Sequence, residues 1–243
     1  IAPYDPSFQD YSAVLSAPSM AHPFGTDEFG RDILSRIIYG SRVSISIGIV
    51  AQVIASIVGV TLGSLAGYYG GWIDNTISRI MEIFQAFPDL IFAMAIMTFL
   101  GKGVLNLFIA LGLLTWVRTA RMIRGSVMQL KEKEYIEASR ACGASTYWII
   151  MKGLVPNCLS TIIVLVTLGI PNAIMYEASL SFLGIGIQPP TPSWGNMISA
   201  AQTFISYRPV YSIMPGVAIM ITVIAFNIFG DGLRDALDPK LKN

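Results

Sequence analysis

Apolar residues in this chain gather in long runs rather than in alternating or one-sided stripes. Residues 43–68, 80–100, 157–183 and 213–230 carry little or no charge. A helix that crosses the hydrocarbon of a membrane needs roughly 20 mostly apolar residues. Each of these runs therefore predicts a span. A fifth run, 104–117, is apolar but short, and reaches spanning length only by continuing past Arg118 to about residue 126. Pro88 should kink the second span near its entry, and Gly169 and Pro171 interrupt the fourth. The pattern predicts an all-α membrane protein with five transmembrane helices in this chain.

Between the runs lie polar segments: residues 1–42, a loop at 131–156, a loop at 184–212 rich in Pro, Gly and Trp, and a tail at 233–243. Within the first loop, 132–142 reads as a short helix with a thin surface of Ala138, Ser139, Ala141 and Cys142. Gly143 suits the left-handed residue that ends a helix, and the stretch Leu-Val-Pro-Asn at 154–157 marks the return towards the next span. In the first span Ala51, Ala55, Gly59, Gly63 and Gly67 recur every four residues. Such a ridge lets a neighbouring helix approach the backbone closely.

Composition agrees with the membrane class. The chain is 53% apolar and only 13% charged, against about 25% charged in soluble domains. A net charge of +1 implies no nucleic-acid partner. Cys142 and Cys158 lack metal-type spacing and read as free thiols. Lys and Arg sort the two sides of the membrane. Eleven fall on the side of Arg79, the 118–152 region and the C-terminal tail, and five on the other. The richer side is expected to be cytoplasmic. Residues 1–42 and 184–212 are then extracytoplasmic, and 131–156 and the tail are cytoplasmic. An N-terminus that starts outside calls for a sixth helix upstream of Ile1, where the chain opens without methionine or signal peptide.

Candidate chemistry is sparse. Arg79 and Glu82, three apart, can pair on one helical face, as a structural ion pair or in a mechanistic role. Trp116 is read as an interfacial residue. Arg118, Arg121 and Arg124 follow it on one face, suited to anchoring on anionic lipid or to a helix continuing into the cytoplasm. Glu177 is a carboxylate in an apolar run, which either lines a water-filled path or pairs locally. His22, the only histidine, has no ligand companions nearby, so no metal role is assigned. The chain has no GxxxxGK[ST] phosphate loop and no HExxH or GxSxG motif, so no catalytic residues are nominated and an intramembrane enzyme is disfavoured. An ion channel or proton-coupled carrier would need an ionisable relay, for which Glu177 and Asp89 alone are available.

The 131–156 loop resembles the Glu-Ala-Ala loop of importer permeases of the ATP-binding cassette (ABC) class. Glu137, Ala138, Ser139, Gly143 and Pro156 fall at its spacing, with Ser139 replacing the third residue and Gly153-Leu154-Val155-Pro156 departing from the usual ending. The stretches GTDEFGRDILSRIIYGSR, DNTISRIMEIFQAFPDL, SFLGIGIQPPTPSWGNM and FNIFGDGLRDALDPKL, in this order, resemble the C-type permease subunit of dipeptide, oligopeptide and nickel importers. That resemblance implies a type I ABC importer permease fold in a bacterial cytoplasmic (inner) membrane. It implies a B-type permease as partner in a heterodimer and two cytoplasmic ATPases docked on the Glu-Ala-Ala helices, which in this chain lie in the 131–156 loop. It also implies an extracytoplasmic substrate-binding protein. ATP and Mg would be bound by the partner ATPases and no cofactor by this chain. The implied cargo is a di- or oligopeptide, with nickel as the alternative. Glu137, Ala138 and Gly143 would carry docking.

Overall fold

The computed structural model describes residues 2–237 of the 243. Among them the protein is built of helices, with one isolated β-bridge between Thr26 and Asp32. Eight helices position everything that follows. They are α1 (Ile33–Tyr69), α2 (Gly71–Gln85), α3 (Asp89–Leu100), α4 (Val104–Leu130), α5 (Glu134–Ala141), α6 (Thr146–Phe182), α7 (Trp194–Ala201) and α8 (Pro209–Leu237). Four of them, α1, α4, α6 and α8, are long and apolar enough to cross a membrane, and the bent pair α2–α3 makes a fifth candidate span.

Helix α1 is the centre of the bundle, and its small residues explain why. A Cβ on Gly59 would lie 2.8 Å from the Trp116 carbonyl oxygen, one on Gly63 2.5 Å from that of Ala120, and one on Gly67 2.7 Å from that of Arg124. The small-residue ridge thus brings α4 into backbone contact, the close approach that drives helix pairing where lipid removes the hydrophobic gain. The register, from Ile54 against Gly112 to Gly67 against Val127, makes α1 and α4 parallel. Helix α6 packs on another side of α1 and runs the opposite way, pairing Ser44 with Glu177, Gly48 with Ile174 and Gln52 with Gly169. Helix α8 reverses again, with Gly230 against Leu168 and Ile219 near Ala178. The chain therefore traverses the bundle in alternating directions. One end gathers α5, and the other gathers the N-terminal segment and the loop after α6.

Several boundaries differ from the sequence expectation. The first helix begins at Ile33, ten residues before the apolar run at 43. Asp32 caps it, accepting the Ser35 N–H at 2.8 Å, and Arg36 of its first turn faces Asp27 of the N-terminal segment. Residues 33–42 thus continue the first helix of the bundle. The run at 80–100 is bent far more sharply than a kink, and its helix begins earlier, at Gly71. It straddles α2 and α3, which meet at 93° across residues 86–88. Pro88 supplies the break, because it has no N–H to give and forces Phe87 away from helical geometry. The third helix continues to Leu130, beyond 126. The fourth starts at Thr146, before 157, and stays helical through Gly169 and Pro171. The loop at 184–212 contains α7, opened by a reciprocal capping box of Ser193 and Asn196. The last helix extends on both sides of 213–230, so residues 233–237 of the expected tail are helical. Residues 238–243 of that tail lie outside the described residues.

Candidate functional site

The most exposed piece of chemistry is α5, a helix of eight residues held between α4 and α6. Ile136 is its one buried residue. It enters a cluster with Ile123 and Val127 of α4 and Ile149, Ile150, Leu154 and Cys158 of α6. Gly153 makes room for it, since a Cβ there would lie 2.9 Å from Ile136 Cδ1. Opposite this anchor, Glu137 and Ala138 are exposed and Ser139 is half-buried, its hydroxyl donating to the Tyr135 carbonyl at 2.7 Å. Ala138, Ser139, Cys142, Gly143, Ala144 and Trp148 border a shallow hollow on this surface.

Gly143 ends the helix. Its φ of +78° lies in the left-handed region, its N–H donates to the Arg140 carbonyl, and the Ala144 N–H donates to that of Ser139. This is the paired bonding of a Schellman cap. A Cβ at Gly143 would meet nothing within 4 Å, so backbone conformation, not space, demands glycine. Pro156 sits where α6 changes pitch, after a π-turn at Ile149–Leu154 and within a 3-10 turn at Val155–Cys158. A proline ring crowds the carbonyl four residues before it, and the widened turn relieves that conflict. The structure thus brings Glu137, Ala138, Ser139 and Gly143 together on one surface and puts Pro156 in the neighbouring helix.

The other nominated charges behave differently. Arg79 and Glu82 pair at 2.8 Å on α2, both largely exposed. The pair that bridges helices is one the sequence did not reveal: Arg124 of α4 donates to both carboxylate oxygens of Asp74 on α2, at 2.6 Å for the second. Arg124 is therefore a strut between helices rather than a lipid anchor. Trp116 is 2% exposed and packs edge-on against Phe84 at 5.5 Å, so it is a core residue and not an interfacial one. Glu177 is fully buried. It accepts hydrogen bonds from Ser181 at 2.7 Å and Ser44 at 3.1 Å. Those hydroxyls in turn accept the N–H groups of Ile187 and Trp194. The carboxylate ties α1, α6 and the following loop together.

A second polar centre, also missed, lies at the end away from α5. Asp27 accepts the N–H groups of Phe29 and Arg31 and the Arg31 side chain at 2.6 Å, with the Arg36 guanidinium 3.4 Å away. His22 contacts Asp32 at 2.9 Å, Arg36 donates to the Pro6 carbonyl, and Tyr211 of α8 bonds Glu28. Acidic and basic residues four apart, as in Asp27 and Arg31, were the available signal. Among the described residues no group of three or more His, Cys, Asp or Glu is placed to hold a metal ion.

Comparison with known proteins gives this architecture its class. Residues 59–243 match the family described as the binding-protein-dependent transport system inner membrane component. The chain is 43% identical over 244 residues to the glutathione transport system permease protein GsiD of Pectobacterium atrosepticum, covering all of this chain and 81% of that protein. It is 48% identical over 229 residues to the dipeptide transport system permease protein DppC of Alkalihalophilus pseudofirmus, covering 94% of this chain and 75% of that one. In fold it is similar to the MetNI methionine ABC transporter in an inward-facing form, with a TM-score of 0.65 at 22% identity over 85% of this chain and 98% of that one. The chain belongs to the binding-protein-dependent transport system inner membrane component family. It is a multi-pass permease subunit of an ABC importer, in the group that includes peptide and nickel importers, and ATP hydrolysis belongs to separate ATPase subunits.

Proposed function

We propose that this chain forms, with a B-type permease as its partner, the pathway by which an ATP-driven importer of a bacterial inner membrane takes up di- or oligopeptides. Two cytoplasmic ATPases, which bind ATP and Mg, would dock on α5 and on the matching helix of the second permease, and an extracytoplasmic binding protein would deliver cargo at the opposite end. The observation that carries the coupling role is the form of α5. One buried isoleucine fixes it to both α4 and α6, and its Glu137 and Ala138 surface is left uncovered. A partner pulling on that surface moves two long helices at once. Peptide cargo is supported by the two relatives above 40% identity, whose names specify glutathione and dipeptide transport.

The test is purification of the tagged full-length chain in mild detergent, identification of its partners, and reconstitution of the complex with labelled dipeptide. Recovery of a second permease, ATPases and a binding protein, with ATP-dependent uptake, is the expected result. A chain recovered alone, under conditions that keep other membrane complexes intact, contradicts the assembly. A complete complex that carries only nickel contradicts the cargo.

A further inference from the structure

A cavity of about 740 Å³ opens between α1, the α2–α3 bend, α4 and α6. That is within the range of small-molecule sites, about 300–1,000 Å³. Its lining is polar for a membrane bundle: Gln52, Asp89, Arg118, Arg121, Asn172 and Tyr176 all contribute. Arg118 is near the middle of α4, about 21 Å along the helix from Val104 at 1.5 Å per residue. A charged side chain within a long apolar helix is costly to leave in hydrocarbon, and typically faces a water-filled path and serves a function.

The two charges that matter are not spent on each other. Among the described residues, neither Asp89 nor Arg118 has an opposite charge within 4 Å. Asp89 is held by the Tyr176 hydroxyl, and Arg118 lines the same cavity as that phenol. Gln52 is 3% exposed and packs so closely on Gly169 that a Cβ there would lie 2.2 Å from its Oε1. Its amide meets only the Thr115 hydroxyl, at 3.4 Å. The cavity thus presents two guanidinium groups, one carboxylate and amide groups; Arg121 is engaged by the Gln85 side chain, which leaves Arg118 and Asp89 as the two opposite charges without a charged partner among the described residues. A lone cation would gain nothing from Arg118, and a lone anion nothing from Asp89. A zwitterion with amides between its charges uses both and the amide groups.

We propose that this cavity is a transit site for the free peptide, with Arg118 drawing its terminal carboxylate, Asp89 its terminal ammonium, and Gln52 and Asn172 its amide bonds. Tyr176 is a positioning residue that orients Asp89. The inference rests on the peptide reading above and deepens it to named side chains.

The experiment uses the complete importer in proteoliposomes, with binding protein at saturation and two probes, labelled Ala-Ala and the same dipeptide with its carboxylate amidated. Arg118→Gln and Asp89→Asn should each slow Ala-Ala uptake by at least about tenfold, the effect of losing one charge-assisted hydrogen bond. ATP hydrolysis stimulated by the loaded binding protein should persist, and Arg118→Lys should recover part of the uptake. Wild type should carry the amide more slowly than its affinity for the binding protein explains, and Arg118→Gln should erase that difference. Variants that transport both probes as wild type does would overturn the site while leaving peptide import standing. Loss of the second permease from the variant complexes would overturn it in favour of a subunit contact. A wild-type complex that hydrolyses ATP but takes up no dipeptide would remove the peptide reading itself.

Discussion

The two ends of the bundle are built on opposite plans. At one end Asp27, Arg31 and Arg36 bury their charges against one another, Glu177 knots α1 to α6, and the indole of Trp194 donates to the Ile37 carbonyl at 3.1 Å. At the other end α5 hangs from one isoleucine and a glycine cap, its polar face open. The first end is cross-linked by polar groups that tolerate no loss of a partner. The second is joined to the bundle by a small apolar anchor and offers its surface to something else. A rigid end and a presented end are what transmission of movement through helices requires.

This contrast predicts a ranking of effects. Asp27→Ala removes the carboxylate shared by two buried arginines, leaving Arg31 only its 3.5 Å contact with Glu28, and should destabilise the protein by about 3–5 kcal/mol, seen as a large loss of folded yield and of thermal midpoint in detergent. Ile136→Ala removes the anchor of α5 and should cost about 2–3 kcal/mol locally. Proteolysis within 131–145 should speed up while the outer end stays protected. Gly143→Val puts a β-branched residue in the left-handed region for about 1–2 kcal/mol. It should leave membrane insertion intact and uncouple ATP hydrolysis from uptake. Arg79→Ala breaks an exposed pair of the kind that contributes little, and thermal unfolding should be unchanged. An Asp27→Ala protein as stable as wild type, or an Arg79→Ala protein that unfolds, would collapse the comparison.

What the sequence disclosed depended on how local the signal was. The small-residue ridge in α1 announced a close helix contact, because spacing along one helix is enough to define a groove, but not that α4 would fill it. The α5 helix and its glycine cap were equally readable from a dozen residues. Pro88 signalled a kink but not the size of the 93° turn, since Ala86 and Phe87 continue the apolar run across the break. Arg124 looked like a lipid anchor because its partner Asp74 is fifty residues away. Trp116 looked interfacial because its neighbour Phe84 comes from a helix whose direction the sequence left open. The cavity, assembled from four separate elements, had no local signature.

The central claim, that α5 is where the ATPases hold this subunit, is tested most directly by a photo-crosslinking amino acid placed at Ala138, with the exposed loop residue Met20 as control. In the assembled importer, irradiation should join position 138 to an ATPase subunit and position 20 to none. An intact complex in which position 138 yields no ATPase adduct, or position 20 does, would contradict the account.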